Sequence, residues 1–342
     1  MTTSELKKAK RQILAKIKES DNFAILISDP DPDAVGSGLA MKKILDQMGK
    51  KSKLYSSYEI KKDYHYFPGI EEYIITDISE LDLGQFNCLI FLDSAHKARV
   101  LDSNRQTEEF NLPKDVIIIN IDHHPSNPLF GTINYCSEHI SSAAEAVYMI
   151  FKDKIEISSN IATNILAGII GDTGCFKFAV SYQIFNIASQ LVQKGADHAY
   201  IIRNMFYSYP KNIILMNMDA IKNIKFVEAG KYEFIYTIMD GRKFGIEDIQ
   251  RDQRWIVQEG VLKTLKDSSF SLVITPVDRN LTKMSFRSER YDVNKLAKEF
   301  EGGGHAKAAG ATVKMPPEDI VAKLKELLKA NKLKPLKKQV NG

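Results

Sequence analysis

The sequence predicts an α/β fold of two lobes: a larger one with a mainly parallel sheet flanked by helices, and a smaller mixed α/β lobe, with a cleft between them. Three observations predict it. Apolar runs at Phe23 to Ile27, Cys88 to Leu92 and Val116 to Ile121 are short, rich in Ile and Leu, and stopped by turn residues, as buried parallel strands are. Strand-like and helix-like segments alternate up to about Gly195, which indicates a layered sheet with a parallel core. Beyond that point the texture changes to a smaller mixed pattern.

The elements follow in order. Apolar spacing from Leu6 to Ile17 fits a helix, and the Phe23 to Ile27 strand runs into Asp29-Pro30-Asp31-Pro32-Asp33. Gly36-Ser37-Gly38 is expected to open a helix through about Met48. Strands are expected near Lys53 to Tyr55 and Tyr73 to Ile75, besides those ending at Leu92 and Ile121. Helices are expected at Ser142 to Phe151, Asn160 to Ile170 and Tyr182 to Val192. A polar, aromatic helical stretch, Tyr200 to Met218, bridges the lobes. Tyr232 to Met239, Ser271 to Val277 and Lys283 to Arg287 read as strands of the second lobe. Its helices are Trp255 to Leu265, Asp292 to Phe300 and Glu318 to Leu328.

A chain of 342 residues has room for two domains. Apolar residues at 44% and charged residues at 26% suit a globular chain with full cores. A net charge of only +4 excludes a broadly cationic nucleic-acid coat and suits short, phosphate-rich ligands. Lys332, Lys334, Lys337 and Lys338 read as a solvated end. Cys88, Cys136 and Cys175 form no CxxC pair, and Cys88 and Cys175 sit beside apolar runs as buried thiols, so the chain reads as reduced and cytoplasmic. Met1 to Ser20 is lysine-rich and amphipathic, without the apolar core of a signal peptide, and no segment approaches the ~18 continuous apolar residues of a membrane span.

In an open parallel sheet the carboxyl ends of the strands share one edge, where ligands bind. Here that edge gathers the Asp31 and Asp33 loop, Asp93, and Asp122-His123-His124. Carboxylates so crowded cannot all stay ionised without cations. A carboxylate-rich cluster with imidazoles suits Mn²⁺ or Mg²⁺ better than a thiolate-binding metal. One histidine of the adjacent pair can bind metal while the other reaches a phosphate oxygen. Gly36-Ser37-Gly38 would offer N–H groups at a helix start, which favours an anion. Each segment also fits a plainer role: an Asp/Pro turn with an N-cap, a strand-end cap at Asp93, and a helix C-cap with a turn aspartate at Gly171-Asp172-Thr173-Gly174. In the second lobe, Gly302-Gly303-Gly304-His305 can bring bare N–H groups close to an oxyanion, with Arg287 and Ser288 ending a strand before it.

Taken together, these segments resemble the DHH phosphoesterase superfamily, in its motif order and over most of the chain. Asp31-Pro32-Asp33-Ala34-Val35-Gly36-Ser37 resembles the first motif, Asp93 the second, Asp122-His123-His124 the third, and Gly171-Asp172-Thr173-Gly174 the fourth. Ser285-Phe286-Arg287-Ser288 and Gly302-Gly303-Gly304-His305 resemble the DHH-associated substrate-binding domain. One departure stands out: Ile27 occupies the position, four before Asp31, where the family usually has a histidine.

The resemblance implies a catalytic domain at 1–195, a helical linker at 196–218 and a substrate domain at 219–335. It implies two metal ions, Mn²⁺ or Mg²⁺. Asp33, Asp93, His123 and Asp172 would hold one, and Asp31 and Asp93 the other, weakened by Ile27. His124 would contact the scissile phosphate. Ser37, Arg287, Ser288, Gly302, Gly303, Gly304 and His305 would bind substrate. A two-lobe chain of this size is similar to the nanoRNase/pAp phosphatases, acting on short RNA or DNA oligonucleotides and on 3'-phosphoadenosine 5'-phosphate (pAp). The alternatives are a cyclic-dinucleotide phosphodiesterase of the c-di-AMP type, or a nucleotide-binding protein whose catalysis Ile27 has weakened. A homodimer is a candidate assembly; a membrane partner is not expected.

Overall fold

The computed structural model describes residues 1–60, 62–101, 110–178, 181–247, 249, 252–266, 268–278, 281–330 and 333–336, the side chains of residues 62, 63, 252 and 305 excepted. The chain divides into two units, Met1–Ser208 and Tyr209–Gly342.

The first unit opens with α1 (Thr3–Glu19), started by a reciprocal cap in which Thr2 and Glu5 bond each other's backbone N–H. Its Ala9, Ile13 and Ile17 recur every fourth residue and are buried. There follow β1 (Asn22–Ile27), α2 (Pro32–Gln47), β2 (Lys51–Ser56), β3 (Tyr73–Ile75), β4 (Cys88–Leu92), β5 (Ile117–Asp122) and β6 (Ile133–Cys136). The helices α3 (Ala143–Phe151), α4 (Ser159–Asp172), α5 (Tyr182–Gln193) and α6 (His198–Phe206) complete it. Ser142, Ser158, Ser181 and Asp197 cap these four helices with side-chain oxygens.

The strands form one sheet in the order β3-β2-β1-β4-β5-β6, every pair parallel. Central β4 is buried along its whole length, as a strand covered on both faces must be. The order reverses between β1 and β4, the switch point at whose carboxyl edge sheets of this kind bind ligands. Ile27 lies opposite Leu92, and Leu92 opposite Ile121, so these three strands end level.

Helix α2 begins at Pro32, one turn before the expected start at Gly36. The reason is local. Asp31 caps the helix, its Oδ1 accepting from the N–H groups of Asp33 and Ala34 at 2.9 and 3.0 Å, and Pro32 suits the first helical position. Gly36, Ser37 and Gly38 therefore lie inside the helix, with their N–H groups in the helical ladder. The glycines serve packing instead. A Cβ on Gly36 would meet the Asn164 carbonyl oxygen at 2.4 Å, and one on Gly168 would meet Ala144 Cβ at 2.6 Å. A Cβ on Gly171 would meet Pro32 Cβ at 2.5 Å. These gaps let α4 approach α2 and α3 closely.

The second unit contains α7 (Lys211–Lys222), β7 (Lys225–Ala229), β8 (Tyr232–Ile238), α8 (Trp255–Gln258), β9 (Phe270–Pro276), β10 (Thr282–Arg287), α9 (Val293–Lys298), β11 (Gly303–His305), β12 (Ala308–Val313) and α10 (Pro317–Lys329). Its sheet runs β11-β12-β10-β9-β8-β7, antiparallel except for the β8–β9 pair. Phe234, Phe270, Phe286 and Phe300 anchor its core. The stretch expected as one bridging helix is α6 and α7, one in each unit. The helix expected over Trp255 to Leu265 shortens to α8 and a single 3₁₀ turn, Leu262–Thr264. The β6, β7, β11 and β12 strands were not legible in the pattern. Cys88 and Cys136 are buried and Cys175 is half-buried, all three as free thiols. No helix among the described residues is long and apolar enough to cross a membrane.

Glycine to alanine inside a helix ordinarily stabilises, but at Gly36 the added methyl meets backbone. Gly36→Ala is expected to destabilise by about 1–3 kcal/mol, lowering the unfolding temperature by several degrees in a thermal melt. An unchanged or raised temperature would count against the α2–α4 contact.

Candidate metal centre

Asp33 lies in the first turn of α2 and is 1% exposed. Its two oxygens accept from the N–H groups of Ala143 and Ala144 at 2.6 and 2.9 Å, at the start of α3. A helix N-terminus is a good seat for a carboxylate, because its amides are unpaired and its dipole end is positive. Even so, burial drives the Asp33 pKa well above the ordinary carboxylate range, helped by the charges of Asp93 and Asp172 and opposed by His123.

Asp93 follows β4 with φ 50°, a left-handed conformation that costs a non-glycine residue roughly 1–3 kcal/mol. The turn is held by Ser28 Oγ, which donates to the Asp93 carbonyl at 3.0 Å, and by the Asp93 N–H, which donates to Ile121 O at 3.1 Å. Asp93 Oδ1 is buried and has no hydrogen-bond partner. Its pKa too is raised well above the usual value, by burial, then by Asp31 and Asp172. A strained residue presenting an unsatisfied buried carboxylate oxygen is unfavourable unless something cationic meets it.

The cationic candidates nearest to hand are the two histidines. His123 Nε2 lies 3.1 Å from Asp172 Oδ2 and 3.4 Å from Asp93 Oδ1. Asp172 is the last residue of α4. Burial pulls the His123 pKa down, but Asp172, Asp33 and Asp122 outweigh it and the net shift is upward. His124 behaves alike: burial lowers its pKa, and Asp122 and Asp93 raise it further.

Asp122 has a different task. It is wholly buried and bonds His124 Nδ1 through Oδ1 at 2.8 Å, while Asn127 Nδ2 donates to Oδ2 at 2.6 Å. Burial alone would raise its pKa, but these bonds lower it, so Asp122 stays ionised and can only accept. His124 Nδ1 therefore carries the proton, and Nε2 is the ring nitrogen left for a ligand. Asn127 is anchored in turn by Asn120 Oδ1 at 2.7 Å. The sequence reading missed the roles of Asp122, Asn120 and Asn127. The legible signal was Asn120, a buried amide inside an otherwise apolar strand.

Two groups of ligand atoms converge within 4.8 Å: Asp33, His123 and Asp172, and Asp93, Asp122, His123 and His124, sharing His123. Of the four ligands expected for one ion, Asp33, His123 and Asp172 converge, and Asp93 falls in the second group, linked to them through His123. Asp31 enters neither group among the described residues, its Oδ1 serving as the helix cap, though its charge acts on Asp93. Ile27 is fully buried at the end of β1. Asp29 and His96, the nearby residues of a type that could ligate in place of Ile27, are exposed and in neither group. Oxygen donors with imidazole, and an orphaned buried carboxylate oxygen, fit a hard divalent cation.

Ser37 stands apart from this cluster. It is fully buried, with Oγ donating to the Asp33 carbonyl at 2.7 Å, so it supports the helix and cannot meet a substrate. In the second unit, Arg287 ends β10 with Nε donating to Glu259 Oε1 at 2.8 Å and one terminal nitrogen to Phe286 O at 2.9 Å. Glu259 also pairs with Lys263 at 3.2 Å, a residue the sequence reading had not singled out. Ser288 is buried, donating to Ser269 O at 2.7 Å and accepting from the N–H groups of Arg290 and Tyr291, so it shapes a turn and does not face a ligand. Gly302 to Gly304 form no loose loop: Gly303 and Gly304 belong to the edge strand β11, paired with Gly310 and Ala309. A Cβ on Gly302 would lie 2.2 Å from Gly310 O, and Gly304 has φ 144°. The backbone of His305 ends that strand; its side chain lies outside the described residues.

Comparison with known proteins converges on the same reading. Residues 22–169 match the DHH family, N-terminal domain, and residues 246–332 match the DHHA1 domain. The chain is 28% identical over 325 residues to a probable bifunctional oligoribonuclease and PAP phosphatase NrnA of Streptococcus mutans, covering 93% of this chain and 99% of that one. It is 22% identical over 307 residues to the cyclic-di-AMP phosphodiesterase GdpP of Bacillus subtilis, covering 85% of this chain but 40% of that one. An exopolyphosphatase-related protein from Bacteroides fragilis has the same fold, with a TM-score of 0.84 at 24% identity over 95% of this chain and 97% of that one.

The raised pKa values give a signed pH dependence. Asp33, Asp93, His123 and His124 all bind protons more tightly folded than unfolded, so their contribution is present at low pH and lost as pH rises through the folded values. Metal-free protein is therefore expected to melt at a lower temperature at about pH 8 than at about pH 5.5, and millimolar Mn²⁺ to raise the melting temperature more at the higher pH. A melting temperature independent of pH in the metal-free protein would contradict the cluster's electrostatics.

Proposed function

We propose that this chain, a member of the DHH phosphoesterase family carrying a DHHA1 domain, is a manganese-dependent hydrolase of short oligoribonucleotides and of pAp. The observation that carries the reading is the end-to-end similarity to the Streptococcus mutans oligoribonuclease and PAP phosphatase, through both domains. Asp33, His123 and Asp172 would hold a divalent cation, with Asp93, whose Oδ1 has no hydrogen-bond partner, beside His123 as the carboxylate that would serve both this ion and a second one at Asp31. A bound Mn²⁺ supplies a nucleophile at neutral pH by acidifying water and takes up charge on the phosphoryl oxygens. His124, its Nδ1 held by Asp122, directs Nε2 towards the scissile phosphate. Arg287, the Gly302, Gly303 and Gly304 edge and His305 take the substrate's remaining phosphate.

Cyclic dinucleotides of the c-di-AMP type are the second reading, favoured by the similarity to the phosphodiesterase GdpP. A panel of pAp, dinucleotides, short RNA and cyclic di-AMP, assayed with Mn²⁺ and with Mg²⁺, tests both. Turnover is expected on pAp and on short RNA. Turnover confined to cyclic di-AMP would favour the second reading, and saturable nucleotide binding with no turnover across the panel would leave a binding protein, as Ile27 in place of a histidine allows.

Asp93→Ala should lose manganese and activity together, by at least about 100-fold, in a metal analysis paired with a rate measurement; unchanged manganese content would refute the shared ligand. Arg287→Ala should raise KM for pAp about 10-fold or more with manganese content unaltered. Loss of metal with pAp affinity retained would contradict that role.

A further inference from the structure

Helix α1 carries a strong local excess of positive charge. It has Lys7, Lys8, Lys10, Arg11, Lys16 and Lys18 against Glu5 and Glu19, an excess equal to the +4 of the whole chain. The remaining residues balance. Lys7, Arg11 and Lys18 fall on one face with Leu14 and Ala15, at the three- and four-residue spacings that align side chains along a helix. With Lys10 and Lys154 they line a groove of about 700 Å³. Lys10 is held there, donating to Met149 O at 2.6 Å and lying 3.4 Å from Asp153, the single carboxylate in the lining. Lys7, Arg11, Lys18 and Lys154 are exposed and form no ion pair among the described residues. Like charges stacked along one helix face repel, and the arrangement is unfavourable unless it serves an anion.

The place of the groove in the fold says which anion. Helix α1 starts at the sheet's carboxyl edge: the Cys136 N–H donates to Met1 Sδ at 3.4 Å, and Cys136 lies opposite Asp122 in the β5–β6 register. The helix therefore begins within about two strand spacings, on the order of 10 Å, of the metal cluster. It then runs down the flank of the unit, and from Lys7 to Lys18 the stripe spans about 16 Å. A flexible polyanion leaving the centre would meet Lys7 and Arg11 one turn apart and Lys18 two turns further on. A lipid surface fits less well, because the apolar residues Ala9, Ile13 and Ile17 are buried against the unit and cannot enter a bilayer.

We propose that the Lys7, Arg11 and Lys18 stripe, with Lys154, binds the sugar-phosphate backbone of single-stranded oligonucleotides too long to be contained at the metal centre, so that α1 sets the preference for length. This rests on the reading of the chain as an oligoribonuclease. The stripe reads phosphates and not bases, since it offers cations without aromatic side chains.

The test is binding, measured in EDTA so that no turnover intrudes. Fluorescein-labelled oligoadenylates of two and of seven nucleotides are titrated with wild type, with Lys7→Ala/Arg11→Ala/Lys18→Ala, and with Lys8→Ala, which lies on the same helix outside the groove. Alanine keeps the helix, and circular dichroism and melting temperature check it. The triple variant is expected to lose at least about tenfold in affinity for the heptamer and about 2 units of salt slope, with the dinucleotide and Lys8→Ala unaffected. Heptamer binding that is absent in wild type, unchanged in the triple variant, lowered equally for the dinucleotide, or lowered equally by Lys8→Ala would overturn the proposal. So would capture of wild type, but not of the triple variant, by phosphatidylserine vesicles when the heptamer does not bind. Failure of the hydrolase reading shows separately, as heptamer binding lost in the triple variant while wild type turns over no oligonucleotide with Mn²⁺.

Discussion

A buried carboxylate held by the start of a helix organises the first unit. Asp33 sits in α2, and the amides that hold it open α3, 110 residues further along the chain. Were that carboxylate merely buried, it would take up a proton and its place in the cluster would lapse. The two amides supply donors where water cannot reach and fix the carboxylate in one orientation, while burial and its charged neighbours still raise its pKa. Ala144, which donates one of those bonds, is also the residue against which Gly168 of α4 packs. The same few atoms thus set the spacing of three helices and the position of Asp33 and Asp172.

The crowding around that carboxylate has its own logic. Asp172 adds to the burial that raises the proton affinity of Asp33 and Asp93, and both histidines are held towards their charged forms. Without a cation the folded state answers by binding protons. A divalent ion would replace those protons and could meet Asp93 Oδ1, which has no hydrogen-bond partner. Asp122 differs because its partners are internal: His124 and Asn127 satisfy both oxygens, and its charge is spent on orienting an imidazole. Three aspartates at strand or helix ends are therefore left to meet a cation, and a fourth is paired with a histidine.

The second unit places its glycines and its arginine by a different means. Its glycines occur where backbone meets backbone, Gly302 against Gly310 and Gly304 against Ala308, so that a short edge strand can fold back on β12. Arg287 ends the neighbouring β10 and is oriented by Glu259, which Lys263 also contacts. A guanidinium held on one side by a carboxylate keeps a defined plane, which suits bidentate recognition of phosphate.

Much of this was readable from residue types alone. Three apolar runs that stop at acidic residues are enough to predict parallel strands with a common carboxyl edge, and the order of the four motifs was enough to recognise the family. Asp33, Asp93, His123 and Asp172 could be named because strand ends and helix ends are local properties. What required the tertiary structure was every assignment that depends on a distant partner. The start of α2 turned on Asp31 acting as a cap, which moved Ser37 into the core, and Gly36 proved to be spacing for Asn164 instead of a phosphate cradle. The Gly302 to Gly304 run looked like a loop because edge-strand pairing with β12 leaves no periodic apolar trace. Asp122 and His124 are two residues apart, yet their pairing is set by Asn127 and Asn120, whose burial only the sheet decides. Sequence determines which groups can ionise and where turns fall; the folded chain decides which of those groups are buried, and burial is what turns a carboxylate into a ligand, a cap or a support.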